Sequence, residues 1–190
     1  MKNEEELTMK KSGMIKKFFQ AALVPAIMLT AFNAASGAAQ AAEPANDYPP
    51  VAQVQAELEK LPGTVFPIGG PNTNYEKWFT GRTFISPLAN DSIGVANVTF
   101  VNGAHTFWHK HHGSCQILVT ESGRGYYQIW GEEPQQLVPG VVATIPENVK
   151  HWHGAAPGTY MQHLSIMQSG PEVSTEWLEP VDDAVFAALK

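Results

Sequence analysis

The sequence predicts an all-β domain, a sandwich or barrel of many short strands closed as a jelly roll, with one short helix at each end. Two observations carry that prediction. From Pro62-Gly63 to Gln168, short β-rich runs alternate with turns rich in Gly and Pro. Apolar residues at helical spacing occur only before and after that stretch. No segment repeats at a fixed period, so the pattern describes one domain and not an array.

The elements follow in chain order. Lys10, Lys11, Lys16 and Lys17 precede the apolar run Phe18 to Phe32 and a small-residue stretch ending in Ala39-Gln40-Ala41. That is the layout of a secretory signal peptide over residues 1–41, cleaved near Ala41. The run is short for a membrane span. Translation starts at Met1 or, for a cleaner basic region than Glu4-Glu5-Glu6 allows, at Met9. The expected destination is the periplasm or the medium. Residues 42–62 comprise a Pro/Ala-rich tether to Pro50 and a helix whose apolar face is Val51, Val54, Leu58 and Leu61.

The barrel is expected over residues 63–170. Its strands are read near Lys77–Ile85, Val95–Val101, Thr106–Lys110, Cys115–Thr120, Gly125–Trp130, Gln136–Val138, Val141–Ile145, Lys150–Gly154 and Thr159–Met167. Ser122-Gly123, Pro139-Gly140 and Pro146-Glu147-Asn148 are among the turns between them. The tail, residues 171–190, closes with a helix over Val181 to Leu189.

Composition narrows the function classes. Residues 1–41 hold five Lys and three Glu out of totals of 12 Lys+Arg and 18 Asp+Glu, so the remainder carries 7 against 15, a net charge of −8. Such a surface repels phosphate backbones and anionic lipid, so neither nucleic acid nor stable membrane insertion is expected. Cys115 is the only cysteine, which leaves stability to a packed core.

All seven histidines lie between His105 and His163. In an extended strand, residues two apart share a face, so His109 and His111 present two imidazoles together, as do His151 and His153. Imidazole is the common protein ligand for transition metals and titrates near neutral pH. A metal centre with acid/base histidines beside it is the expectation, against the plainer reading of hydrogen-bonded core or surface residues. His153 shares a face with His151 and reads as a general base, a group supporting the ligands, or a core histidine. His163 carries the same alternatives. His112 points to the surface, and His105 has no assigned role. Cys115 is expected to be a small buried hydrophobe on the face opposite Gln116. Thr106, Trp108 and Trp152 read mainly as packing residues, with Thr106 also able to donate a hydrogen bond to substrate. One of Tyr126 and Tyr127 is expected to line the cavity.

The stretch from Gly103 through His109-Lys-His111 to Gln116 resembles the first cupin motif, and Gly140 through Pro146-Glu-Asn148 to His151 resembles the second. Asn148 stands where that motif has Gly, and Asn is the next best residue for a left-handed backbone. The resemblance implies a cupin jelly-roll β-barrel holding one divalent metal, Mn, Fe, Ni, Zn or Cu, on His109, His111, Gln116 and His151. Most cupins have Glu at the position of Gln116. Three imidazoles and an amide would leave the full charge on the ion and favour an oxygen-bearing or anionic ligand.

Glu76-Lys-Trp-Phe-Thr-Gly-Arg82, Val98-Thr-Phe100 and Lys150-His-Trp-His-Gly-Ala-Ala-Pro-Gly-Thr159 are similar to a subgroup of small bacterial cupins. It includes manganese-dependent hydroxynitrile lyases and cupins found beside carboxymuconolactone decarboxylase-like domains. In the lyases a Thr, two non-ligand histidines and a Gln line the pocket. Thr106, His153 and His163 match the first three, which implies catalytic roles for them, and Met167 stands at the fourth. The implied activity is Lewis-acid proton chemistry on a small organic molecule: lyase, isomerase or decarboxylase. The alternatives are a metal-dependent dioxygenase and a non-catalytic barrel that binds a ligand or metal. Loading outside the cytoplasm would favour Cu or Zn by affinity order, whereas the resemblance favours Mn, Fe or Ni. The expected assembly is a homodimer.

Overall fold

The computed structural model describes residues 47–189. The expected signal peptide, the expected cleavage site near Ala41 and the start of the expected tether lie outside the described residues. Among the described residues, no helix is long and apolar enough to cross a membrane.

Strands dominate. Helix α1 (Val51–Leu58) is followed by β1 (Gly70–Pro71), a single 3-10 turn at Glu76–Trp78, β2 (Phe79–Thr80), β3 (Thr83–Asn90) and β4 (Ile93–Phe100). Next come β5 (His105–Thr106), β6 (His109–His112), β7 (Gln116–Gly123), β8 (Gly125–Ile129), β9 (Gln135–Leu137) and β10 (Val142–Ile145). The chain ends with β11 (His151–Ala155), β12 (Met161–Gln168), β13 (Ser174–Trp177) and α2 (Asp183–Ala187). One sheet has the order β1-β3-β4-β12-β7-β10; the other has β13-β6-β11-β5-β2, with β8 also on β11 and β9 on β8. Every pairing is antiparallel. The all-β jelly roll with two short terminal helices is what the sequence predicted.

Period-two alternation fixes which residues face inward. Along β7, Gln116, Leu118, Thr120 and Ser122 are buried, while Ile117, Val119 and Glu121 are half-buried on the outer face. Leu118, Phe100, Leu137, Ile145 and Met161 come from both sheets into one apolar cluster, each such burial being worth about 1.5–3 kcal/mol. The outer faces are covered at opposite ends of the chain. Val54, Leu58 and Ile68 pack on Phe84 of the first sheet. Val181, with Leu178, Phe186 and Leu189, packs on Trp108, Tyr126 and Trp152 of the second.

Several boundaries differ from the sequence reading. Helix α1 stops at Leu58, and Val51 is 45% exposed instead of facing the core. The strand read over Lys77–Ile85 is broken at Gly81, whose φ of 83° turns the chain between β2 and β3. The strand read over Thr106–Lys110 is interrupted at Phe107–Trp108, where both backbones bond to segments outside β11. Ser122-Gly123 is not a turn, because β7 runs through it. Strand β13, inside the segment read as tail, pairs with β6 from Ser174↔His112 to Trp177↔His109. The closing helix is shorter than Val181–Leu189, since Asp182 caps it by accepting from the backbone N–H groups of Ala184 and Val185. The end of the expected tether is anchored: Asp47 pairs with Arg82, whose guanidinium lies over the Tyr48 ring.

Candidate metal centre

Five strands, β5, β6, β7, β11 and β12, supply the site. Register His151↔His109 joins β11 to β6 in the second sheet, and Gln116↔Met167 joins β7 to β12 side by side in the first. Gly154 makes part of this possible. A Cβ there would lie 2.4 Å from the His105 Cα, so only glycine lets β5 approach β11 this closely. That approach brings the Thr106 hydroxyl to accept from the His153 backbone N–H at 3.1 Å.

The structure brings His109, His111, Gln116, His151, His153, His163 and Thr106 to the barrel interior, all buried. Ring centroids of His109 and His151 are 4.2 Å apart; His109–His111, His111–His151 and His109–His153 are 5.0, 5.4 and 5.3 Å apart. His109, His151 and His153 offer ligand atoms within 4.8 Å of one another and could hold a metal ion.

Hydrogen bonds set the tautomers. His109 Nδ1–H donates to the Phe107 carbonyl and His151 Nδ1–H to the Val149 carbonyl, each at 2.9 Å. A carbonyl only accepts, so both rings carry their proton on Nδ1 and turn an Nε2 lone pair inward. His111 Nδ1 meets the Thr175 hydroxyl at 3.1 Å, and its Nε2 is buried with no protein partner. Gln116 donates from Nε2 to Ser165 Oγ at 2.9 Å, and its Oε1 then faces His151 Nε2 at 2.9 Å. In this amide orientation neither atom of that last contact has a proton to give, whereas the opposite orientation would let the amide donate to His151 and accept from Ser165. Two lone pairs directed at one point suit a shared cation, so the donor set fits a divalent metal.

His153 and His163 form a separate pair, Nδ1 to Nε2 at 3.0 Å. The direction of that bond sets the role of His153. A proton on His153 Nδ1 leaves Nε2 free as a base or ligand, whereas a proton on His163 Nε2 leaves His153 Nε2 protonated as an acid. His153 Nε2 has no protein partner.

Burial opposes charge throughout the cluster. It pushes His111, His151 and His163 down to about 4, assisted at His111 by His112 and at His151 by His111. Burial, then the neighbouring imidazoles, hold His109 and His153 well below the ordinary histidine range. The rings are therefore neutral at pH 7, the state that ligates metals.

The remaining sequence expectations divide. His112 is at the surface, bonded to Asn148 and Glu176. His105 is buried outside the cluster, stacked on Phe186 at 3.8 Å, with Nδ1–H donating to the Gly103 carbonyl. Trp108 and Trp152 are packing residues. Tyr127 packs on the interior cluster and Tyr126 on the outer one. Cys115 is exposed and not a buried hydrophobe, because it precedes β7 and lies outside the sheet that would have covered it. The sequence reading missed Ser165, Thr175 and Trp177. Ser165 was accessible by period two from His163; Thr175 and Trp177 sit on β13, too short a run to announce itself between Pro171 and Pro180.

Comparison with known proteins decides the family. A protein of Granulicella tundricola called (R)-mandelonitrile lyase is 41% identical over 113 residues, which span 57% of this chain and 86% of the lyase. The chain belongs to the cupin family. Residues 96–167 match the cupin domain profile. The crystal structure of a cupin-like protein from Thermotoga maritima is 34% identical and superposes with a TM-score of 0.61, covering 66% of this chain and 96% of that one. In this cupin the three-histidine cluster occupies the barrel interior, where both cupin motifs meet at His151↔His109.

Proposed function

We propose that this cupin is an exported metal-dependent enzyme that performs lyase-, isomerase- or decarboxylase-type proton chemistry on a small organic substrate. The observation that carries the reading is the His153–His163 pair at 3.0 Å, buried beside a donor set with converging lone pairs. A binder needs the donors but not the second imidazole pair. The relative called (R)-mandelonitrile lyase supports lyase chemistry of this type, and Lys-rich residues 10–17 before an apolar run support export.

In this reading His109, His111, Gln116 and His151 hold one divalent ion, which supplies a Lewis acid for negative charge developing on a substrate oxygen. Phe107, Val149 and Thr175 orient three of the imidazoles, and Ser165 orients the amide. His153 Nε2 takes or gives the proton, and His163 Nε2 stabilises whichever tautomer results. Thr106 holds the His153 backbone and so fixes the ring's position.

The test combines metal content with turnover. His111→Ala should lose the metal, whereas His153→Ala should keep it and lose turnover on cyanohydrin or enolisable carbonyl substrates. The reverse result assigns the ion to His109, His151 and His153. Metal-dependent oxygen uptake in place of non-redox turnover would make the protein a dioxygenase. A parent protein without metal would reduce it to a ligand-binding barrel.

A further inference from the structure

The histidine cluster is almost closed: His109, His151, His153 and His163 are each no more than 4% exposed and His111 is 5% exposed. A substrate must therefore enter past some side chain. Strands β2 and β13 lie on the same side of the interrupted β5–β6 run, through Phe79↔Thr106 and Trp177↔His109. Where they part, the backbone of Phe107 bonds to Trp78 and that of Trp108 to Leu178 and Glu179. A groove of about 640 Å³ opens at that junction, lined by Phe79, Thr80, Phe107, Glu179, Val181 and Asp183 among others. Its volume suits a small organic molecule.

Phe79 is the lining residue whose ring reaches inward. Its centroid lies 5.9 Å from that of Trp177 and 6.3 Å from that of Phe100. Trp177 is 4.9 Å from His109, and Phe100 is 5.8 and 5.2 Å from His153 and His163. One phenyl ring thus stands between the groove and the two rings that border the histidines.

The chemistry of the groove limits its guest. Glu179, Asp182 and Asp183 bring carboxylates to the lining, and no basic residue belongs to it. Glu179 is paired with Lys150, and Asp182 caps α2, which leaves Asp183 as the carboxylate that most directly meets a visitor. Phe79, Phe107 and Val181 supply the apolar wall. Anions are repelled there, while a neutral molecule with an apolar part is accepted.

We propose that this groove is the lateral portal to the histidine centre, that Phe79 is the side chain that admits the substrate, and that the substrate is neutral rather than anionic. The inference rests on the metal-enzyme reading above and names the substrate class for that same site.

Chelator-driven metal release tests it without a known substrate. Zn²⁺-loaded protein is mixed with 1,10-phenanthroline, which is neutral and flat, or with EDTA, which is anionic. Phe79→Ala should speed release to phenanthroline roughly tenfold or more, and Phe79→Trp should slow it. Phe79→Leu keeps the packing if the alanine variant does not fold, and should give a smaller acceleration. Asp183→Lys should raise the EDTA rate relative to the phenanthroline rate. Unchanged release in Phe79 variants that retain stoichiometric Zn²⁺ and their melting temperature overturns the portal alone. Acceleration by Trp177→Ala with none from Phe79 moves the route to the edge of β13 and also overturns it. A parent protein that takes up no Zn²⁺ overturns the metal reading and the portal with it.

Discussion

The barrel interior has two ends built from the same strands, and they obey different rules. At the apolar end Phe100, Leu118, Leu137 and Met161 fill space, and the atoms left unpaired beside Leu118 on β7 are two hydroxyls, those of Thr120 and Ser122. At the polar end the Nε2 atoms of His111 and His153 are buried without a protein partner, and the amide oxygen of Gln116 faces a lone pair. A buried unpaired acceptor costs about 1–3 kcal/mol. Under the proposed reading a bound ion offsets that cost at the polar end, while the apolar end holds the barrel together. The most direct break of this comparison is His109→Ala or His151→Ala. Elemental analysis should show stoichiometric metal in the parent and essentially none in either variant, with the β circular dichroism unchanged. Full retention of metal in both variants would sink the assignment.

The converse substitution at the other end should reverse the pattern. Leu118 is fully buried, and Leu118→Ala leaves a cavity costing about 2–5 kcal/mol. Denaturant unfolding should register that loss, while the folded fraction still binds one metal per chain. Loss of metal at full stability would mean that the two ends are not separable.

Acid should separate the ends again. In the metal-free protein, His111, His151 and His163 titrate near 4 instead of 6.5 because burial disfavours their charge. Between those values the unfolded chain binds protons that the folded chain refuses. The stability these groups permit is therefore complete above about pH 6.5 and is lost as pH falls towards 4. Melting temperature of the metal-free protein should decline through that window. Bound metal adds stability of about 2.7 kcal/mol at a hundredfold excess over Kd, and protons competing for the same nitrogens should remove it at low pH. A flat profile for the metal-free protein would contradict the buried neutral cluster.

How far the sequence could be read follows the same division. Alternation by two placed His109 with His111 and His151 with His153, because side-chain direction along a strand is a local property. The resemblance paired the two motifs, and His151↔His109 is where the strands put them together. What stayed hidden was non-local. The contact of Gln116 with Ser165 and that of His111 with Thr175 depend on which strands become neighbours, over separations of 49 and 64 residues. Strand β13 has four residues and little pattern of its own; its pairing with β6 creates it. Even the break of β5 from β6 arises from partners far along the chain, Trp78 and Glu179.

The smallest expected effect tests a residue whose left-handed backbone followed from its place at the glycine of the second cupin motif. Asn148 has a φ of 64°. Its N–H donates to the His111 carbonyl at 2.8 Å, and its side chain bonds to His112 at the surface. Asn148→Gly should relieve the left-handed strain while losing an exposed contact, for a net change within about 0.5 kcal/mol and unchanged metal content. Asn148→Val keeps neither advantage. A β-branched side chain in that conformation costs about 1–2 kcal/mol, and any shift of the turn loosens the His111 carbonyl that it anchors. Thermal melts of the two variants should therefore differ by several degrees, with the valine variant lower. Equal melting temperatures would mean that the turn relaxes to negative φ, and that the backbone of the second motif does not depend on this residue.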